Sequence, residues 1–411
     1  MTKEESVKRF WLVAAVAALA VLTAAVGGST AYGGSSAAGA AAPIKVGVLT
    51  SLTGNFAPWG IQFRAGAALA VNEINRKGGV NGRLLNLAVA DDQSIPNGGI
   101  DGFRKLTQQD KVVSVGGVVG SNVGLATGRL AEQAQVPLFL LRAGDDTILT
   151  LQSRFTFRTC LPPAQEDGPP ILDLAQARGV KSVGAIVADY AWGQAFKRAL
   201  QDTFQGASGI KLNVQVAPLP TTDFTPYLRA LGNVGMIVAT GHPPGGGAIL
   251  AQAGQLGMKA PVIGAYSPFT LTAKAAGASA YGRWADFKCM NVASPAYRAL
   301  AKRYLRTFPQ NGFFEDEAMQ GYAYVKLVAE AAGKGGVDPK RISAYVHSHT
   351  FTIPGYAFPL KWTAWGELVG PTPFLTVLTK GPPPDAALNK AGDWWPKNLS
   401  KSKPLTPYRP S

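Results

Sequence analysis

The residues of this chain that could do chemistry begin with a serine between a glycine-rich turn and a helix. Gly116-Gly117-Val118-Val119-Gly120 leads into Ser121-Asn122. Free backbone N–H groups at a helix start favour an anion, and the hydroxyl adds one more donor. A plain N-cap serine is the alternative. The run is not the Gly-x-Ser-x-Gly elbow of a hydrolase, because Ser121 directly follows Gly120 and the next glycine is Gly124. Further on, Arg142-Ala143-Gly144-Asp145-Asp146 follow a predicted strand. Arg142 suits a carboxylate held in a bidentate way, and Asp145 or Asp146 suits an ammonium; an exposed charged loop fits the same residues. Nearer the start, a loop rich in Ser, Thr and Gly ends at Trp59-Gly60, with Phe56 close by. It offers hydroxyls, free N–H groups and an aromatic face, which suits holding a small organic molecule better than breaking one. There is no Gly-x-x-x-x-Gly-Lys-Ser/Thr phosphate loop and no His-Glu-x-x-His motif. His347 and His349 stand two apart without an evident third ligand, so neither a metal nor a cofactor is expected.

These residues need strands and helices to present them. Ile44–Leu49 is a short apolar strand, and an alanine-rich helix follows the Trp59 loop to about Asn75. In open α/β sheets ligands bind at the carboxyl ends of the strands, where this loop lies. Further strands are expected at Leu84–Ala90, Val112–Val115, Leu138–Leu141 and Phe155–Thr159, with helices between them. A second series begins after Pro162-Pro163, with strands at Val183–Val187, Lys211–Ala217, Met236–Ala239 and Val262–Ala265. Strand–helix alternation means parallel sheets covered on both faces. Two series predict two doubly wound α/β lobes. Amphipathic helices follow at Ala296–Thr307, Ala318–Ala332 and Lys340–His347.

Composition bounds the function. The chain has 411 residues, 46% hydrophobic and 16% charged, a globular balance with room for two cores. Its formal charge is +15. Lys and Arg are scattered among acids, with dense clusters only at Arg298–Arg306 and in the tail after Trp395. Nucleic acid is therefore not the expected partner, and a solvated basic surface that attracts anions is the better account. Residues 1–26 form an export signal, with Lys8 and Arg9 before an apolar run from Phe10 to Val26. An uncleaved anchor is the alternative. Residues 27–43 are expected to be a flexible Gly/Ser/Ala linker. Two cysteines in an exported chain, Cys160 and Cys289, suit either a disulfide or two buried thiols.

The ordered set of segments resembles the leucine/isoleucine/valine-binding family of ABC-importer solute-binding proteins. The segments are IKVGVLTSLTGNFAPWG (Ile44–Gly60), VNEINRKGGVNGR (Val71–Arg83), ADDQSIP (Ala90–Pro96), KLTQQDKVVSVGGVVGS (Lys105–Ser121), FRTC (Phe157–Cys160), DFTPYLRAL (Asp223–Leu231) and FPLKWTAWGELVG (Phe358–Gly370). The likeness spans about Ile44 to Leu378. It implies two lobes joined by a three-strand hinge: 44–159 with 291–352 in the first and 160–290 with 353–395 in the second. The Pro/Lys-rich end at 396–411 is expected from its composition to be a loose tail, unless Trp394-Trp395 pack it down. Residues Pro359 to about Leu378 would return to the second lobe as paired strands. Cys160 and Cys289 would lie close on adjacent hinge crossings. The family's lipid-bearing cysteine would fall at Val26, so lipidation is not expected there.

The resemblance also places the ligand. Trp59 would face it from the first lobe with Phe56 as a weaker companion, and the Ser121-Asn122 loop would grip its carboxylate. Relatives have Ser/Ala/Thr where this chain has Arg142-Ala143-Gly144, and Tyr-Gly where it has Trp192-Gly193. Trp192, Tyr190 and Tyr266 would form the opposite wall, with His242 either lining the cleft or standing as an exposed loop histidine. Amino-acid-binding relatives place an acid near Tyr266 for the α-ammonium, and this chain has none. The expectation is an exported, monomeric, non-enzymatic protein that closes on a small carboxylate, aromatic or hydrophobic by preference, and delivers it to an ABC permease. A ligand-sensing module for a signalling partner is the alternative.

Overall fold

Two twisted sheets organise the chain, each built outward from its first strand. The computed structural model describes residues 41–205, 209–240, 245–264, 266–389 and 392–410. The export signal, nearly all of the linker, and His242 lie outside these residues. In the first series β1 (Ile44–Thr50), β2 (Leu85–Asp91), β3 (Val115–Val118), β4 (Leu138–Leu140) and β5 (Thr156–Arg158) pair in the order β2-β1-β3-β4-β5, all parallel. The helices between them are α1 (Ala57–Asn75), α2 (Pro96–Arg104) and α3 (Ser121–Ala134). Val46, Val48 and Leu49 of β1 are fully buried, as a central strand of a two-sided parallel sheet requires.

The second series gives α4 (Ala164–Ala177), β6 (Ser182–Asp189), α5 (Ala191–Gln205), β7 (Lys211–Pro218), α6 (Thr225–Leu231), β8 (Met236–Ala239), α7 (Gly245–Gln255), β9 (Val262–Gly264), α8 (Phe269–Ala276) and β10 (Trp284–Lys288). Strands β7, β6, β8, β9 and β10 are parallel. Near the carboxyl end of the chain β11 (Phe374–Lys380) and β12 (Trp394–Lys401) add antiparallel, completing a seven-stranded sheet. Each sheet reverses its strand order beside its first strand, between β1 and β3 and between β6 and β8. Loops at such switch points form ligand crevices.

Between β10 and β11 lie α9 (Pro295–Thr307), α10 (Asp316–Gly335) and α11 (Pro339–Ser348), and α10 packs along α1. Glycine permits that approach. A Cβ at Gly66 would stand 1.8 Å from the Ala318 carbonyl oxygen, and one at Gly321 would stand 2.0 Å from that of Phe63. Backbone on both sides leaves little room to give, so Gly321→Ala is expected to lower stability by about 1–3 kcal/mol. A urea midpoint equal to wild type would show that the helices do not pack this closely.

The chain passes between the sheets at residues 159–163 and 289–294, and the loop 349–360, closed by the Phe351–Leu360 bridge, packs against both. The crossings are tied together. Ala357 N–H donates to the Cys289 carbonyl at 2.7 Å, Tyr356 Oη to the Thr159 carbonyl at 2.6 Å, and Asn291 N–H to that of Gly355 at 2.8 Å. Cys160 and Cys289 form a disulfide with a Cα separation of 5.8 Å, which fixes the first crossing to the second.

Three expectations need correction. Strand β3 starts at Val115 rather than Val112, because Lys111 turns with φ +58° and Val112 N–H ties back to the Leu106 carbonyl. The stretch from Pro359 does not go straight to the second sheet. Trp362 Nε1 donates to the Arg158 carbonyl at 2.7 Å and Arg158 N–H to that of Gly366 at 3.1 Å, so this turn packs on β5. The tail is not loose. Trp394–Lys401 is an edge strand, Leu405 N–H donates to the Pro371 carbonyl, and Tyr408 N–H donates to Glu166 at 2.7 Å. Among the described residues no helix is long and apolar enough to cross a membrane.

Candidate ligand cleft between the two sheets

The loops after β1, β3 and β4 meet those after β6 and β9 around a small cavity. The first sheet contributes Phe56, Trp59, Val119 and Arg142; Leu161 comes from a crossing; and the second sheet contributes Tyr190, Trp192 and Tyr266. The cavity holds about 20 Å³, little more than one water. Trp59 sits in the first turn of α1, where Pro58 presets the helical φ. Gly60 lets that turn lie against the Ser51 carbonyl, 2.0 Å from where a Cβ would stand. Trp59 Nε1 donates to the Tyr266 carbonyl at 3.1 Å, joining the two lobes. Phe56 lies 5.7 Å from the Tyr190 ring across the same gap.

On the second lobe, Trp192 opens α5 and stacks on Phe196, with centroids 4.9 Å apart and planes 8° apart. Its indole lies against Gly144 of the first lobe, where a Cβ would meet Trp192 Nε1 at 2.6 Å. Tyr266 has a left-handed φ of +62°, a strained state for a bulky residue. Asp286 holds it there, accepting from Tyr266 N–H and Ser267 N–H, both at 2.7 Å. The Tyr266 hydroxyl donates to Asp167 at 3.2 Å. Burial raises both carboxyls, Asp167 well above the ordinary carboxylate range.

Arg142 lines the cavity, but its charge is already countered. One terminal nitrogen lies 2.8 Å from Asp316 and 2.6 Å from Glu317, both buried in the first turn of α10. The other donates to Cys160 Sγ at 3.4 Å. Burial opposes the charge, yet the two carboxylates outweigh it and raise the guanidinium pKa. What Arg142 offers the cleft is its face, 4.9 Å above the Tyr266 ring. This differs from the expected free partner for a ligand carboxylate. The cause lies more than 170 residues away in sequence, in acids that nothing local marks.

Ser121 is wholly buried at the start of α3, and its Oγ accepts from Asp145 N–H at 3.1 Å. It joins two cleft loops, and neither it nor Asn122 is among the cavity-lining residues. No side chain caps α3, whose N-cap is Gly120. Ala143 and Asp145 are fixed by Arg158, whose two terminal nitrogens donate to their carbonyls. The Asp145 carboxylate turns back to Thr147, and Asp146 accepts from Gln165 N–H, so neither is placed for an ammonium. His347 faces the carbonyls of Arg154 and Thr363, and His349 stacks on Tyr345. The one metal-like grouping among the described residues is Cys160, Cys289 and Asp316. Its sulfurs are joined in the disulfide and offer no thiolate.

Sequence reasoning missed Val119, Leu161, Asp167 and Asp286. The first two are ordinary apolar residues. The acids act through tertiary contacts that no spacing announces.

The sequence profile described as periplasmic binding protein matches residues 43–381. A leucine-, isoleucine-, valine-, threonine- and alanine-binding protein of Pseudomonas aeruginosa is 26% identical over 322 residues, covering 77% of this chain and 85% of that protein. Among solved structures, an ABC-transporter solute-binding protein from R. palustris in complex with 4-hydroxybenzoate aligns with a TM-score of 0.75 at 21% identity, covering 89% of this chain and 98% of the other. The branched-chain amino acid substrate-binding protein LivJ of Streptococcus pneumoniae, in complex with isoleucine, aligns at 0.70 and 22%, covering 86% and 100%.

Proposed function

We propose that this chain, which belongs to the periplasmic binding protein family, the extracytoplasmic and non-enzymatic solute-binding components of ABC transporters, captures a small aromatic or hydrophobic carboxylate for import. The observation that carries this reading is the aromatic lining drawn from both lobes, Phe56 and Trp59 against Tyr190, Trp192 and Tyr266. Rings give a large contact area at small entropy cost. The uncapped start of α3, two residues beyond the cavity-lining Val119, would meet the carboxylate once the lobes part, which leaves Arg142 to its own carboxylates. Organic ligands occupy pockets of about 300–1,000 Å³, far more than the closed cleft offers, so the lobes part to admit the ligand and shut on it. Contacts made to both lobes favour the closed form by their difference in affinity for the two states. The closed form, as a monomer, then docks on a membrane permease.

A thermal-shift series on the purified protein tests this. 4-Hydroxybenzoate or benzoate should raise the melting temperature with dose, since a ligand at 100 times its Kd adds about 2.7 kcal/mol. Trp59→Ala should weaken that Kd by about 10–100-fold, the scale of a buried aromatic anchor. A response to isoleucine alone would overturn the aromatic-acid assignment.

A further inference from the structure

The residue before α10 does not cap its own helix. Glu315 occupies the N-cap position, yet no side chain caps α10 there. Its carboxylate crosses instead to the second lobe. It accepts from Phe269 N–H at 3.1 Å, from Thr270 N–H at 2.8 Å and from Thr270 Oγ1 at 2.5 Å. Those are the first N–H groups of α8, a helix with no local side-chain cap. Glu315 and the residues it grips lie 45 and 46 positions apart in sequence and on different sheets. They meet only when the lobes are together.

Glu315 also belongs to a run of three acids, Glu315-Asp316-Glu317, that acts on one loop of the second lobe from two directions. Asp316 and Glu317 hold Arg142 over the Tyr266 ring. Glu315 fixes the other end of that loop at Phe269. Between them, Asp286 and Lys288 hold Tyr266 and Ser267 from within the second lobe.

We propose that Glu315 is a positioning residue for closure, which docks on the amino terminus of α8 and thereby sets ligand affinity without touching the ligand. This rests on the reading of a cleft that opens and closes. With α8 capped, the Tyr266 wall is held against Trp59. Without the cap, closure leaves two N–H groups buried and unmatched, which disfavours the closed form.

The surroundings give this contact a pH signature. Glu315 faces Asp316 and Glu317 on its own helix, Lys288 from β10, the Thr270 hydroxyl from α8, and Tyr297 and Tyr304 from α9. Burial first, and Glu317 second, raise its carboxyl from 4.5 to about 7. On the proposed opening the group would meet water, and its carboxyl would fall back toward its ordinary value. Closing therefore takes up a proton between pH 4.5 and about 7. The proton-linked part of closure is fully present below this window and lost as pH rises through it.

The test needs no ligand. Small-angle scattering gives the radius of gyration from about pH 5 to pH 8, and hydrogen exchange follows the amides of Phe269 and Thr270. The wild-type protein should become more compact as pH falls. In Glu315→Ala the radius should rise at every pH, and the two amides should exchange at least about tenfold faster, as losing one buried acceptor implies. Glu315→Gln keeps an oxygen for Thr270 but has no proton to titrate. Its radius should lie between the others and lose most of the pH dependence. A merely structural role would lower the melting temperature and leave the wild-type pH profile in place. Wild-type radius and protection in Glu315→Ala would overturn the proposal. Should that variant fail to fold, a wild-type pH profile in Glu315→Gln would overturn it instead. Failure of 4-hydroxybenzoate to bind would sink the ligand assignment and leave this measurement standing.

Discussion

Arg158→Met should cost about 3–5 kcal/mol of folding stability, the usual penalty for removing one partner of a buried ion pair. Arg158 is wholly buried at the end of β5, with Nε 2.8 Å from the equally buried Glu367. Its two remaining nitrogens donate to the carbonyls of Ala143 and Asp145. One side chain thus fixes the turn after Trp362 to the first sheet and holds the cleft loop that carries Arg142 and Gly144. Methionine fills the volume but leaves two carbonyls and a carboxylate without their donor. Glu367, already raised by burial and held down chiefly by Arg158, would then take a proton. Denaturant unfolding of Arg158→Met, Glu367→Leu and the double variant separates these terms. The double variant should recover much of the loss, because an apolar pair leaves no charge stranded. A double variant no better than Arg158→Met would assign the loss to the loop carbonyls rather than to the ion pair.

The fold was legible where short apolar runs stand between turn residues. Met236–Ala239 is fully buried, follows Gly235, and is the strand its composition suggests. The alternation of such runs with helices gave both sheets. What escaped was pairing at the edges. Strand β12 reads WWPKNLSK, polar and interrupted by Pro396, with no apolar alternation. It forms because β11 offers an open edge, and an edge strand tolerates proline. The turn after Pro359 escaped for a similar reason. Trp362 and Gly366 are claimed by Arg158 and β5, some 200 residues earlier in the chain.

The cleft divides in the same way. Trp59, Tyr190 and Trp192 follow strands at the carboxyl edge, so their place in the chain points to the cavity. Arg142 was legible as a cleft residue but not in its state. A guanidinium beside two acids 174 and 175 residues away looks, in sequence, like a free charge. Glu315 was invisible, because the helix it caps lies in the other lobe. Ser121 shows the converse. Its loop was recognisable, yet its hydroxyl is spent on Asp145 N–H and it lies outside the cavity wall. The residues that build a wall can be found from where strands end, whereas those that charge or latch it are set by tertiary contacts.

In Gly144→Val the lobes should stay apart and the ligand Kd should rise by about 10²–10³-fold, with little change in the melting temperature without ligand. A Cβ at Gly144 would stand 2.6 Å from Trp192 Nε1 and 2.8 Å from Leu161 Cδ2. Real Cβ contacts do not come under 3.0 Å, so Trp192 must withdraw. It is stacked flat on Phe196 and has little freedom to do so alone. The clash therefore falls mainly on the closed form, since opening carries Trp192 away with the second lobe. A penalty of about 3–4 kcal/mol on one of two states lowers its population, and with it the apparent affinity, by the factor stated. Scattering without ligand should show a larger radius than wild type at the same pH. Replacing the indole in Gly144→Val with the smaller ring of Trp192→Phe should restore part of the compaction. Were Gly144→Val as compact as wild type, with an unchanged Kd for whichever acid raises the melting temperature, Trp192 would not approach Gly144 on closing.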